Sequence, residues 1–141
     1  MSARTFVDTN VLIYAHDLDA GRKYELANAV LRELWSQRAG VVSTQVLQEF
    51  YVNVTRKIST PLPKELARVV VETYATWCMD ISSAEISAAF RIEDEARIAF
   101  WDALIVAAAV RSGAQRIVSE DLSVGQRIAG IVIENPFAAV L

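Results

Sequence analysis

TFVDTNVLIY, residues 5–14, passes from a strand into a helix around a single acid. Thr5-Phe6-Val7 is a short β-prone run. Asp8-Thr9-Asn10 follows at once, and Thr9 or Asn10 reads as the N-cap of a helix carrying Val11, Leu12, Ile13 and Tyr14. Short apolar strands alternating with helices make an α/β fold, and the rest of the chain continues that alternation.

Tyr24 to Gln37 carries Leu26, Val30, Leu31, Leu34 and Trp35 at helical spacing. Gly40-Val41-Val42-Ser43 reads as a second strand, with Thr44 capping a helix that carries Val46, Leu47, Phe50, Tyr51 and Val54. Pro61 and Pro63 mark a turn. Leu66, Val69, Val70 and Thr73 then trace another helix, and Cys78-Met79-Asp80-Ile81 a third strand. Ser82-Ser83-Ala84-Glu85 is a capping-box pattern opening a helix towards Glu95. Trp101 to Ser112 is a strongly apolar helix closed by Gly113. Arg116-Ile117-Val118-Ser119 is a fourth strand and Ile131-Val132-Ile133 a fifth. The expectation is an α/β sandwich around a mainly parallel sheet of about five short strands, with ligand sites at their carboxyl ends. No repeat, low-complexity run or linker divides residues 1–141, so they read as one domain.

The 53% hydrophobic content and mean hydropathy of +0.27 are rich for so small a domain. The longest apolar stretch, Ala103 to Val110, falls far short of the roughly 20 residues that span a bilayer. MSARTFVDTN lacks a signal peptide's apolar core, so the expected location is the cytoplasm. The one cysteine, Cys78, reads as a packed thiol. A net charge of −3 argues against a passive nucleic-acid-binding module, which usually carries a basic face. It leaves open an enzyme that gathers carboxylates and lets metal ions reverse the local sign.

The acids fall unevenly on this map. Asp8 follows the first strand and Asp121 the fourth, both at strand carboxyl ends. Glu49 and Asp102 lie on helices among apolar neighbours, where an ionised carboxylate is expensive unless paired or metal-bound. Singly, each has an ordinary structural reading: Asp102 as a first-turn acid, Glu49 as solvent-facing, the others as turn residues. Jointly, the four point to a common site.

Four segments then resemble the PIN-domain family, in order and over nearly the whole chain. They are Val7-Asp8-Thr9-Asn10-Val11-Leu12, Gln48-Glu49-Phe50, Trp101-Asp102-Ala103-Leu104-Ile105 and Ser119-Glu120-Asp121-Leu122. The tail Gly130-Ile131-Val132-Ile133-Glu134-Asn135-Pro136-Phe137 is similar to that of many bacterial members. The resemblance implies a PIN-like α/β/α sandwich and metal-dependent endonucleolytic cleavage, usually of RNA. The nearest-looking group is the VapC-like toxins of bacterial toxin–antitoxin pairs. Glu120 departs from the commonest pattern by placing a second acid beside Asp121. Neighbouring side chains at a strand end diverge, so Asp121 is preferred, with Ser119 pointing to the same site and Glu120 left open.

Phosphodiester hydrolysis needs an activated water and compensation for charge on the phosphoryl oxygens, and divalent ions supply both. Mg²⁺ (or Mn²⁺) takes oxygen ligands and keeps several waters, so a few carboxylates suffice. The expected assignment has Asp8, Glu49 and Asp102 on the principal ion. Asp121 completes the cluster, aiding a second ion or orienting the attacking water. Asn10 and Ser119 aim the carboxylates, although Asn10 reads equally well as a plain N-cap. His16, the only histidine, excludes a histidine-pair ribonuclease mechanism within one chain and reads as a surface or helix-end residue. Arg22-Lys23, Arg56-Lys57 and Lys64 read as RNA phosphate contacts or as solubilising charge, and Trp35, Trp77 and the aromatics near Phe50 as core. A catalytically silent PIN-like binding module and a metal-dependent phosphohydrolase of small substrates are the alternatives. The expected partners are RNA, a second copy in a homodimer, and a cognate antitoxin. The antitoxin would lie as an amphipathic helix in an apolar groove, with an Arg or Lys reaching the acids.

Overall fold

The computed structural model describes residues 3–122 and 125–138. Strand β1 (Thr5–Val7) is buried along its whole length and runs straight into α1 (Thr9–Ala15). A 3₁₀ turn at Leu18–Ala20 leads to α2 (Arg22–Gln37), β2 (Gly40–Ser43) and α3 (Thr44–Arg56). Next come α4 (Lys64–Tyr74), a 3₁₀ turn at Ala75–Trp77, and β3 (Cys78–Met79). The chain continues through α5 (Ser83–Ala96), α6 (Phe100–Arg111), β4 (Arg116–Val118), β5 (Arg127–Ile128) and β6 (Ile131–Glu134).

The sheet order is β3-β2-β1-β4-β6-β5. Every pair is parallel except β5 with β6, which is antiparallel. The expected mainly parallel sheet is therefore present, with a sixth strand that the pattern did not announce. Two residues are too few to show an alternation, and β5 exists only through its pairing with β6. The order reverses at β1: the early strands extend to one side and β4 lies on the other. Ligand sites in such sheets form at this switch point, beyond the carboxyl ends of the strands. Here those ends are Asp8 and Ser119, and the Asp8 N–H donates to the Val118 carbonyl at 3.0 Å.

α6 is buried from Ala103 to Ala109 on every side, as expected of a helix apolar all round. It lies against β2, β4 and β6 and pairs with α5, where Ala89, Ala103 and Ala107 permit close approach. α1 packs on α2 and α3, and α3 on α4.

Local details refine the expected elements. The N-cap of α1 is Asp8, not Thr9 or Asn10, because the Asp8 carboxylate accepts from the Thr9 N–H at 2.7 Å. Ser43, not Thr44, caps α3, freeing the Thr44 hydroxyl to accept from the Ile81 N–H. On α4 the inward face is Ala67, Val70, Val71 and Tyr74, whereas Leu66 and Val69 are 48% and 59% exposed. The capping box of α5 is complete, with Glu85 also held by Arg111. No helix among the described residues is long and apolar enough to cross a membrane.

Candidate active site

Asp8 leaves β1 only 9% exposed, and both its oxygens are engaged. One accepts from the Thr9 N–H, the other from the Ser119 hydroxyl at 2.7 Å. Ser119 is fully buried just past β4, and its oxygen also accepts from the N–H groups of Asp121 and Leu122 at 3.2 and 3.1 Å. The Asn10 amide adds a third donor at 3.4 Å. With donors on those sides, the hydroxyl proton is committed to Asp8.

Asn10 ties the two strand ends together. Its oxygen accepts from the Glu120 N–H at 3.2 Å, and its amide nitrogen reaches Ser119 Oγ and Asp121 Oδ2, both at 3.4 Å. It lies inside α1 and does not cap it. The adjacent acids diverge. Asp121 faces Asn10, while Glu120 accepts from the Tyr14 hydroxyl at 2.6 Å and pairs with Lys23. Burial alone would raise the Glu120 pKa, but Lys23 and Tyr14 more than offset it and hold it below the ordinary value.

Glu49, on α3, accepts from the Thr9 hydroxyl at 2.8 Å, which fixes it beside the end of β1. Asp102 sits half-buried in the first turn of α6. Burial is the main cause that pushes Asp8 up to about 6, and the charges of Asp102 and Glu49 add to it. The Ser119 and Thr9 hydrogen bonds oppose that rise. Asp102 is raised as well, first by burial and then by the charge of Asp121. The four acids are thus close enough to repel one another in a chain running Glu49, Asp8, Asp102, Asp121. None of them is in an ion pair among the described residues. Nor are three His, Cys, Asp or Glu side chains among those residues gathered tightly enough to hold a metal ion as they stand.

Two contributors escaped the sequence reading. Thr9, a possible cap by sequence, holds Glu49 instead. Gln45 lies one helical turn before Glu49 and donates to the Trp101 carbonyl at 3.2 Å, and its own buried oxygen has no hydrogen-bond partner among the described residues. The four-residue spacing from Glu49 was the available signal. His16 is indeed at a helix end, as C-cap of α1, but it is packed against Phe50 and Tyr74 instead of lying on the surface, and burial lowers its pKa. Arg22 pairs with Glu25 and Lys23 with Glu120, while Arg56, Lys57 and Lys64 are exposed. Cys78 is partly buried, and burial followed by the charge of Asp80 raises its thiol pKa.

A parallel sheet whose reversal point is ringed by carboxylates from two strand ends and two helices defines an α/β sandwich with an acidic switch-point site. The sequence model of the family described as PIN domain matches residues 5–127. This chain belongs to the PIN domain family. Its fold is similar to that of the protein in the FitAB complex bound to an IR36 DNA fragment, with a TM-score of 0.70 and 17% identity over 94% of this chain and 95% of that one. DNA-bound VapBC from Salmonella typhimurium gives a TM-score of 0.65 and 21% identity, over 96% of this chain and 99% of that one. The sarcin-ricin loop cleaving toxin VapC20 of Mycobacterium tuberculosis gives 0.61 and 19%, over 84% and 92%. Among curated proteins none matches.

Proposed function

We propose that this chain is a single endoribonuclease domain dependent on Mg²⁺ or Mn²⁺, serving as the toxin of a type II toxin–antitoxin pair. The observation that carries the reading is Asp8. It is a buried carboxylate at the switch point, pushed up to about 6, with further carboxylates as its charged neighbours and no cationic partner among the described residues. Repulsion of this kind suits a site that is completed by a cation. The donors are all oxygens, which hard divalent ions prefer. They are not preassembled, so uptake of an ion implies side-chain rotation by the partly exposed Glu49 and Asp102.

Asp8, Glu49 and Asp102 would hold the ion directly or through water, with Asp121 completing the cluster. When bound, the ion supplies an acidic water at neutral pH and offsets charge on the phosphoryl oxygens. Ser119 keeps its proton on Asp8, which leaves that carboxylate oriented, and Asn10 does the same for Asp121. Glu120, spoken for by Lys23 and Tyr14, plays no part in this reading.

The toxin role is supported by the likeness to chains from the FitAB and VapBC complexes. An antitoxin helix has a fitting surface in the groove between α3 and α4, a cavity of about 410 Å³ lined by Leu47, Tyr51, Val52 and Val71. A basic antitoxin side chain at the carboxylates would compete with the ion. A second copy of the chain would cover the exposed Ile86, Phe90, Trp101 and Val110 of α5 and α6.

The test is cleavage of single-stranded or looped RNA by purified protein. Activity should require Mg²⁺ or Mn²⁺ and stop in EDTA. Asp8→Asn or Asp102→Asn should each lower the rate by at least about a hundredfold. Equal cleavage by wild type and both variants would sink the reading.

A further inference from the structure

The amino ends of the strands carry a second concavity, at the opposite end of β1 from Asp8. It is a cleft of about 580 Å³ lined by Arg4, Trp35, Arg38, Trp77, Cys78 and Ser112 among others. That size falls within the roughly 300–1,000 Å³ typical of small-molecule sites. Its wall is an indole pair: Trp35 and Trp77 stack with centroids 4.1 Å apart at an interplanar angle of 31°. Trp77 can lie flat on the start of β2 only because residue 40 is glycine, since a Cβ there would come within 2.6 Å of the indole.

Among the described residues no acid lines the cleft, in a chain whose net charge is −3. Neither Arg4 nor Arg38 is in an ion pair among the described residues. Arg4 is held from two sides. Its carbonyl accepts from the Gln115 N–H, and its guanidinium donates to the Ser112 carbonyl at 3.1 Å, with its further N–H groups unused among the described residues. Arg38 stands at the end of α2 with φ 54° and ψ 42°, while the Ala39 N–H returns to the Leu34 carbonyl. That position in a helix-terminating turn favours glycine, and an arginine there is strained. The strain places a guanidinium one turn beyond Trp35, at the same cleft.

We propose that this cleft binds a nucleotide, its base against the partly buried Trp35 indole, which the buried Trp77 backs, and its phosphate on Arg4 and Arg38. Stacking on indole suits any base, and two guanidinium groups suit a phosphate better than they suit a neutral ligand. The site is separate from the carboxylates. Arg4 precedes β1 and Asp8 follows it, a run of about 13 Å at the usual rise per residue.

The experiment is tryptophan fluorescence titration of the full chain in EDTA, which takes metal-dependent binding out of the measurement. Trp101→Phe serves as background, so that only Trp35 and Trp77 report. Adenosine or guanosine 5′-monophosphate should quench saturably, the matching nucleoside at least about tenfold more weakly, with inorganic phosphate competing. Arg38→Gly should melt no lower than its parent, because it relieves the left-handed strain, yet bind at least about tenfold more weakly. Asp8→Asn should bind as the parent does. Absence of saturable quenching, equal affinity for nucleoside and nucleotide, or full binding by Arg38→Gly would overturn the proposal. The nuclease reading would stand in each case, because none of these measurements involves cleavage.

Discussion

Asp8 caps α1 with one oxygen and takes the Ser119 proton on the other, so its titration is felt by the whole fold. In metal-free buffer the folded chain keeps the Asp8 proton up to about pH 6, whereas an unfolded chain releases it near 3.8. Between those values the folded state binds the extra proton, and stability from this residue is lost as pH rises through the window. Asp8→Asn lacks that titration. Its stability relative to wild type, measured by denaturant unfolding in EDTA, should improve by up to about 3 kcal/mol from about pH 4 to about pH 7. A flat difference would mean that Asp8 is not held in the surroundings described. Ser119→Ala strands an oxygen of Asp8, the buried N–H of Leu122 and the partly buried N–H of Asp121, and should cost about 1–3 kcal/mol in the same assay. Of the adjacent acids, Asp121→Asn should slow RNA cleavage far more than Glu120→Gln. The reverse order would assign the site to the wrong neighbour.

Among the elements, α4 offers the sharpest contrast. Leu66 and Val69, which trace the helix by their spacing, face outward, while Ala67 and Tyr74 are buried. Leu66→Ser and Val69→Ser should each change stability by no more than about 0.5 kcal/mol, and Tyr74→Ala should cost about 3 kcal/mol or more. Comparable losses in a thermal melt would show the helix turned the other way. The spacing shows the helix but not which face turns inward. Apolar residues occur on both faces of α4, and the small Ala67 carries little weight in a pattern count although it marks the inward stripe. Elsewhere the pattern was informative, since the capping box of α5 and the apolar run of α6 each announce a helix locally. Glu49 and Asp102 stood out in the same way, as carboxylates in apolar company, and Asp8 and Asp121 by their places after strands. Asn10 was legible only as one of two readings, a residue aiming the carboxylates or a plain N-cap, because its partners Ser119, Glu120 and Asp121 lie about 110 residues away and local spacing cannot show such a bridge. The Trp35–Trp77 cleft was hidden likewise: it draws on segments from Arg4 to Ser112, each of which alone reads as core or surface.

For the molecule as a whole, the exposed Phe90 and Trp101, at 52% and 62%, are joined through Phe100 into one aromatic patch. If a second copy covers it, light scattering at micromolar concentration should give twice the 15.6 kDa chain mass, and Phe90→Asp should return the single mass with the fold intact by circular dichroism. A single mass for the wild type would leave the patch to another partner. The central pairing of the sheet has a consequence for synthesis on the ribosome. β1 is made well before its neighbour β4, which begins at Arg116, and the Asp8–Ser119 contact spans 111 positions. A nascent chain therefore lacks the complete carboxylate cluster until β4 has left the exit tunnel. Contacts of such long range also form late in folding. Under the proposed nuclease role, a chain built this way gains its complete site only after β4 has been made. Ribosome-bound chains stalled at residue 112 should be inert towards RNA, even with metal supplied.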